Sequence, residues 1–257
     1  VEVKSRYVEY APAAGPAAAS IVCTWVGETG DDNGYVERVL PDACIDVIWD
    51  GARLFVAGPD TGPVVNHPAP GTVLVGLRFQ PGRAPEFLGV PAHDIRDQRV
   101  DVADLWGERV AARLRTDVAG RDPAEIRRVL QQRVASASTE SEARLSAGVL
   151  SKIARNDVNA LADELGVTTR TLHRRCLHDF GYGAKTLQQV LRFRRFLSYA
   201  EREQDATMAA LAAAAGYADQ SHLVRDCRRL AGLTPTELLV SRRVRSVQDD
   251  TRVARAS

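Results

Sequence analysis

Two spacings of apolar residues divide this chain of 257 residues. Up to about residue 80, β-branched and aromatic residues come in short runs at 21–26, 35–40, 44–49, 54–57 and 72–79. Clusters of Gly, Pro, Asp and Asn at 30–34, 41–42, 50–51, 58–60 and 68–71 separate them. Runs of this length between turn residues predict strands, and their close succession predicts a small antiparallel β barrel or sandwich. Within 44–49 a period of two puts Cys44, Asp46 and Ile48 on one face and Ile45, Val47 and Trp49 on the other.

Beyond residue 80 the spacing turns helical. Residues 84–88 read as a helical turn ended by Gly89, and Val102, Leu105, Trp106, Val110 and Leu114 form one apolar stripe. Asp122-Pro123 pairs an N-cap with proline at the first helical position, ahead of Ile126, Val129, Leu130 and Val134. These helices are expected to cover the sheet or to form a dimer interface. Residues 135–148 are small and polar, as in a linker. The expected organisation is therefore α+β. A β-rich sensor or interaction domain with a helical extension (1–134) is followed by the linker, an all-α domain (149–245) and a tail (246–257).

The all-α part contains a repeat. An Ala/Leu-rich helix reaching Gly216 precedes a second helix in which Leu223, Cys227 and Leu230 fall on one face, with Asp219 or Ser221 able to cap it. The same layout runs from Leu161 through Gly166 and the cap Thr168 to Leu172 and Cys176. Leu-x-Arg-x-Cys occurs in both second helices, 51 positions apart. Two short helices joined by a glycine turn, repeated, predict two helix-turn-helix units. Their outer faces carry Thr169, Arg170, His173 and Arg174 in one, and Gln220, Ser221, Val224 and Arg225 in the other. Gln and Arg have forked ends that pair bidentately with base edges in the major groove, so these eight are the candidate base readers. Between the units a linker helix over about 184–199 buries Val190, Phe193, Leu197 and Ala200. It sends Arg192, Arg194 and Arg195 elsewhere, to a solvated face or to phosphates. Arg228 and Arg229, farther along the last recognition helix, are further phosphate candidates.

Charge agrees with this division. Residues 1–140 carry 15 Lys and Arg against 20 Asp and Glu, and the remainder 19 against 13, so a net of +1 hides an acidic front and a basic back. Hydrophobic content of 45% with 26% charged residues is that of a soluble globular protein, and no run suggests a membrane span. Four scattered cysteines without C-x-x-C spacing give neither a disulfide framework nor a metal site, and no cofactor motif occurs. With no basic-then-apolar leader pattern in 1–6, a reducing cytoplasm is the expected compartment.

Residues from about 149 to 243 resemble the DNA-binding domain of AraC-type transcriptional regulators, in which two helix-turn-helix units are joined by a linker helix. The resemblance is carried by Gly216-Tyr217-Ala218-Asp219-Gln220-Ser221-His222-Leu223 and by Gly232-Leu233-Thr234-Pro235. It departs at Cys176 and Cys227, where the family usually has Phe. Pro41 through Trp49 and Gly76 through Gly82 are similar to an N-terminal sensor-type domain of such regulators. The resemblance implies a bacterial, non-enzymatic regulator whose partners are double-stranded DNA, a small-molecule effector, RNA polymerase and a second copy of the chain. Asp46 and Arg78 are the candidate effector-orienting charges, with Trp25 or Trp49 as the apolar wall. The alternative for the charges is that they are solvated or pair with each other. Two other classes compete with this reading. An enzyme or DNA-repair fusion would centre on Cys44 with His67, but lacks any nucleophile motif. An architectural DNA-binding protein would not need forked polar residues on both recognition helices.

Overall fold

The computed structural model describes residues 5–15, 18–31, 36–137, 150, 152–153 and 158–248, the last seven without their side chains. Most of the expected linker, and the tail from 249 on, lie outside the described residues.

The strands are β1 (Arg6–Tyr10), β2 (Ile21–Glu28), β3 (Glu37–Val39), β4 (Asp46–Trp49), β5 (Leu54–Ala57), β6 (Val64–Asn66), β7 (Val73–Phe79) and β8 (Arg99–Asp101). Six of them form an antiparallel sheet in the order β1-β2-β7-β4-β5-β8, and β3 and β6 form a separate two-stranded ribbon. The period of two in 44–49 holds. Ile45, Val47 and Trp49 enter the core beneath the helices, whereas Ile48 joins Cys23 and Trp25 on the other face. β1, β6 and β8 had no counterpart in the sequence pattern. The last two are three residues long, and β1 buries only Val8.

The helices of the front domain are α1 (Ala84–Leu88), α2 (Val102–Trp106), α3 (Glu108–Val118) and α4 (Pro123–Ser136). The single stripe expected from Val102 to Leu114 is broken. Gly107 adopts φ 80°, ψ 152°, a conformation costly for any residue with a Cβ, and separates α2 from α3. The stripe that α3 buries is Ala111, Leu114 and Val118. Asp122 caps α4 as the sequence suggested, accepting a hydrogen bond from the Glu125 amide, and Ile126, Leu130 and Val134 seal the sheet from that side.

The helical domain contains α5 (Val158–Glu164), α6 (Thr169–Phe180), α7 (Ala184–Arg202), α8 (Met208–Ala215), α9 (Gln220–Ala231) and α10 (Pro235–Gln248). One core joins them, with Leu172, Cys176, Phe193, Phe196, Leu223 and Cys227 among its fully buried members. The long α7 contributes Leu187, Val190, Phe193, Phe196, Leu197 and Ala200 to it, so both helix-turn-helix units pack on one rod.

Candidate DNA-binding face and sensor cavity

The two turns are built alike. The Gly166 amide donates to the Asp163 carbonyl and the Val167 amide to that of Ala162, both at 3.0 Å. Gly216 and Tyr217 repeat this on Ala213 and Ala212, at 3.0 and 2.9 Å. This pair of bonds ends a helix with one left-handed residue, which explains the glycine at φ 63° and 89°. The recognition helices then start under side-chain caps. Thr168 accepts from the Thr171 amide at 3.1 Å, and Asp219, rather than Ser221, accepts from the His222 amide at 2.6 Å.

Seven of the eight candidate base readers are exposed: Thr169, Arg170, His173, Arg174, Gln220, Ser221 and Arg225. Val224 is half-buried. His173 lies over Gly183, where a Cβ would come within 2.4 Å of its ring. All eight sit in the N-terminal halves of α6 and α9, the part of a recognition helix that reaches base edges.

The phosphate candidates divide. Arg228 and Arg229 are exposed, and Arg229 also donates to the Gln189 side chain at 2.7 Å. Arg195 is half-buried beside the second turn, its guanidinium 3.5 Å from the position of a Cβ on Gly216. Arg192 must be corrected. Its side chain is only 14% exposed, lies 3.5 Å from the Asp226 carboxylate and sits over the Tyr217 ring at 4.9 Å. It neither faces solvent nor is placed for phosphate; it ties the linker helix to the second unit. The signal was available, because Asp226 falls among Leu223, Cys227 and Leu230 on the buried face of α9, and a buried carboxylate requires a cation. Arg194 is exposed and donates to the Asp42 carbonyl in the front domain at 3.0 Å.

In the front domain, the sheet face away from the helices lines a cavity of about 630 Å³. Asp46 and Arg78 both line it, directly opposite each other on β4 and β7. They pair with each other, Arg78 donating to both Asp46 oxygens at 3.1 and 3.0 Å, and the Trp25 indole N–H donates to the same carboxylate at 3.1 Å. Burial pushes the Asp46 carboxyl up against the pull of Arg78. Of the two candidate apolar walls, Trp49 is elsewhere. The strand alternation that brings Asp46 to the cavity sends Trp49 through the sheet into the helix-covered core, and Trp25 from β2 supplies the wall instead. Cys44 also lines the cavity, and burial first and Asp42 second push its thiol well above the usual range. Its sulfur lies 3.9 Å from the Asp42 carbonyl.

Contacts between the domains carry information the sequence did not. Arg96 donates to the Gly181 carbonyl at the end of α6 (3.1 Å), and Arg38 to the Ala231 carbonyl at the end of α9 (3.0 Å). Each recognition helix thus has its negative C-terminal end met by an arginine from the front domain. The Tyr182 hydroxyl donates to the Asp60 carbonyl at 2.9 Å, and Ala43 enters the helical core. No periodicity or motif marks these residues.

Residues 161–240 match the family described as Helix-turn-helix domain, and residues 9–101 match a Domain of unknown function (DUF6597). No curated protein matches the chain. Among solved structures, ToxT from Vibrio cholerae is similar in chain course at 13% identity, covering 92% of this chain and 96% of that one with a TM-score of 0.42. An unsaturated fatty acid bound form of the Vibrio cholerae protein gives 12% identity, coverage of 86% and 96%, and a TM-score of 0.43. Among the described residues no helix is long and apolar enough to cross a membrane, and no three His, Cys, Asp or Glu side chains come together as a metal site. With two like-built helix-turn-helix units on one rod and the family match over them, residues 161–240 are a helix-turn-helix domain.

Proposed function

We propose that the chain reads a bipartite DNA site with both units and is controlled by a small molecule held in the front domain. The observation that carries the effector half is the cavity's position. Its lining includes Asp42 and Asp60, whose carbonyls accept Arg194 and Tyr182 of the helical domain. A ligand that shifts these segments acts on the two anchors of the linker helix. Glu37 and Val39 of the same lining flank Arg38, which meets the end of α9. One of the solved ToxT structures holds an unsaturated fatty acid, which is in keeping with a ligand-responsive regulator. The rigid α7 suits the two recognition helices to successive major grooves, about 34 Å apart. In this reading Arg170, Arg174, Gln220 and Arg225 read bases, Thr169, His173, Ser221 and Val224 contact the groove, and Arg195, Arg228 and Arg229 contact phosphate.

The division into residues 1–134, 135–148, 149–245 and 246–257 is kept as a proposal, although α4 runs on to Ser136 and α10 to Gln248, across its first and last boundaries. A catalytic role centred on Cys44 is disfavoured by the upward push that burial gives its thiol and by His67 standing exposed just past β6. Four free, buried cysteines suit a reducing cytoplasm. RNA polymerase and a second copy of the chain complete the partners we infer.

The test is selection from random DNA by the full-length protein at stated, near-physiological salt. The expected outcome is two half-sites about 10 base pairs apart. A single half-site would remove one unit from base reading, and salt-sensitive binding without a motif would overturn sequence-specific recognition.

A further inference from the structure

The cavity has a charge balance that restricts what it can hold. Six carboxylates line it (Glu37, Asp42, Asp46, Asp50, Asp60 and Asp101) against three guanidiniums. Each guanidinium is already committed to a carboxylate of the same lining. Arg78 is on Asp46 at 3.0 Å, Arg53 on Asp50 at 3.1 Å, and Arg99 on Asp60 through two bonds of 2.9 and 2.8 Å. An anionic ligand would meet guanidiniums whose charge these carboxylates already balance, with three further carboxylates close by. Of the three remaining carboxylates, Asp101 caps α2 and lies 3.6 Å from Arg115. Among the described residues Glu37 accepts from the neutral Asn66 amide, at 3.2 Å. Asp42 accepts from the Cys44 amide at 2.8 Å and is 3.8 Å from Arg78, which Asp46 holds more closely.

The other walls suit the same charge sign. Tyr7, Trp25 and Phe55 present aromatic surface to the space, and the Arg53 guanidinium already lies over Phe55, 5.6 Å from its centroid. Aromatic faces attract cations and add nothing for anions. The volume of about 630 Å³ is that of an ordinary small-molecule site.

We propose that the cavity takes an organic cation, an amine or quaternary ammonium on an apolar body, with Glu37 and Asp42 as its counter-charges and the aromatic rings as its walls. This rests on the reading of the front domain as a ligand sensor and names the ligand's class. Its placement matters for control. Glu37 belongs to β3 beside Arg38, and Asp42 carries the carbonyl that holds Arg194, so the cation neutralises the segment that touches α9 and α7.

The test uses three probes with one body, 3-phenylpropylammonium, 3-phenylpropanol and 3-phenylpropanoate. Each is titrated into the full-length protein by calorimetry and by tryptophan fluorescence, in which Trp25 reports the cavity. The ammonium is expected to bind, with the carboxylate weaker by about tenfold or more. Glu37→Gln with Asp42→Asn, which keep the local hydrogen bonds, are expected to weaken the ammonium by about tenfold and to leave the alcohol unchanged. A carboxylate that binds as well as the ammonium overturns the cation class and leaves the sensor reading standing. An ammonium whose affinity survives both substitutions overturns the assignment of its counter-charges. If none of the three binds, the sensor reading falls with it.

Discussion

Arg192 separates two accounts of the linker helix, because a phosphate contact and an internal strut respond oppositely to its removal. The Arg192–Asp226 pair is 3.5 Å apart with side chains 14% and 5% exposed. At that distance the attraction is about 5 kcal/mol at an effective dielectric of about 20, and the Tyr217 face adds about 1–2 kcal/mol for a desolvated cation. Both ions lost hydration on folding, so these gross figures do not measure what the pair contributes. Removing the guanidinium leaves the buried Asp226 carboxylate with only the His222 ring 3.9 Å away, at a cost of up to about 3–5 kcal/mol. Arg192→Met, which preserves the aliphatic stem, is therefore expected to lower the stability of the helical domain by about 3 kcal/mol in urea unfolding followed at 222 nm. Asp226→Asn in the Arg192→Met background should restore part of that loss. A double-mutant cycle of the two should give a coupling above about 1.5 kcal/mol. DNA affinity, measured where both variants are folded, should keep its salt slope. A stability change below about 0.5 kcal/mol with a salt slope reduced by about one would refute the strut and return Arg192 to the phosphate backbone.

Three further outcomes are expected. Asp46 has its folded pKa raised above its unfolded value, so it favours the folded state below about pH 4 and that contribution is lost as pH rises through the folded value. Arg78→Met raises the folded value further. Its penalty should be about 3 kcal/mol at pH 8 and shrink steadily toward pH 4; a penalty independent of pH would show that the carboxylate does not depend on Arg78. A Cβ at Gly76 would lie 2.1 Å from the Trp25 indole, so Gly76→Ala should cost about 1–3 kcal/mol and move tryptophan emission to the red as Trp25 leaves Asp46. Unchanged emission at unchanged stability would contradict the packing of that strand pair. On DNA, Arg174→Ala and Gln220→Ala should each lose about 1–3 kcal/mol of discrimination at one base position. Arg228→Ala, by contrast, should weaken all sequences evenly and lower the salt slope by about one. A selected motif unmoved by the first two substitutions would sink the assignment of base readers.

Local interactions decide a great deal here, and those were legible in the chain. Helix starts at Thr168 and Asp219, ends at Gly166 and Gly216, and the buried sets around Leu172 and Leu223 depend on residues within a few positions of one another. Their 51-residue repetition made two weak patterns into one strong one. Strand alternation likewise separated Asp46 from Trp49, although it could not say which face held the cavity. What needed the tertiary structure were the partners of long polar side chains. Arg192 and Arg194 stand two positions apart on one helix, yet one is buried against Asp226 and the other reaches the Asp42 carbonyl. A guanidinium on a flexible stem can satisfy itself on phosphate, water, carboxylate or a helix end, and sequence spacing does not rank these choices. The same holds for Arg38 and Arg96, whose contacts with the ends of α9 and α6 cross from the front domain to the helical one. The chain's own pattern determined the two helix-turn-helix units and their outward faces; how the front domain grips them was decided by packing across long sequence separations.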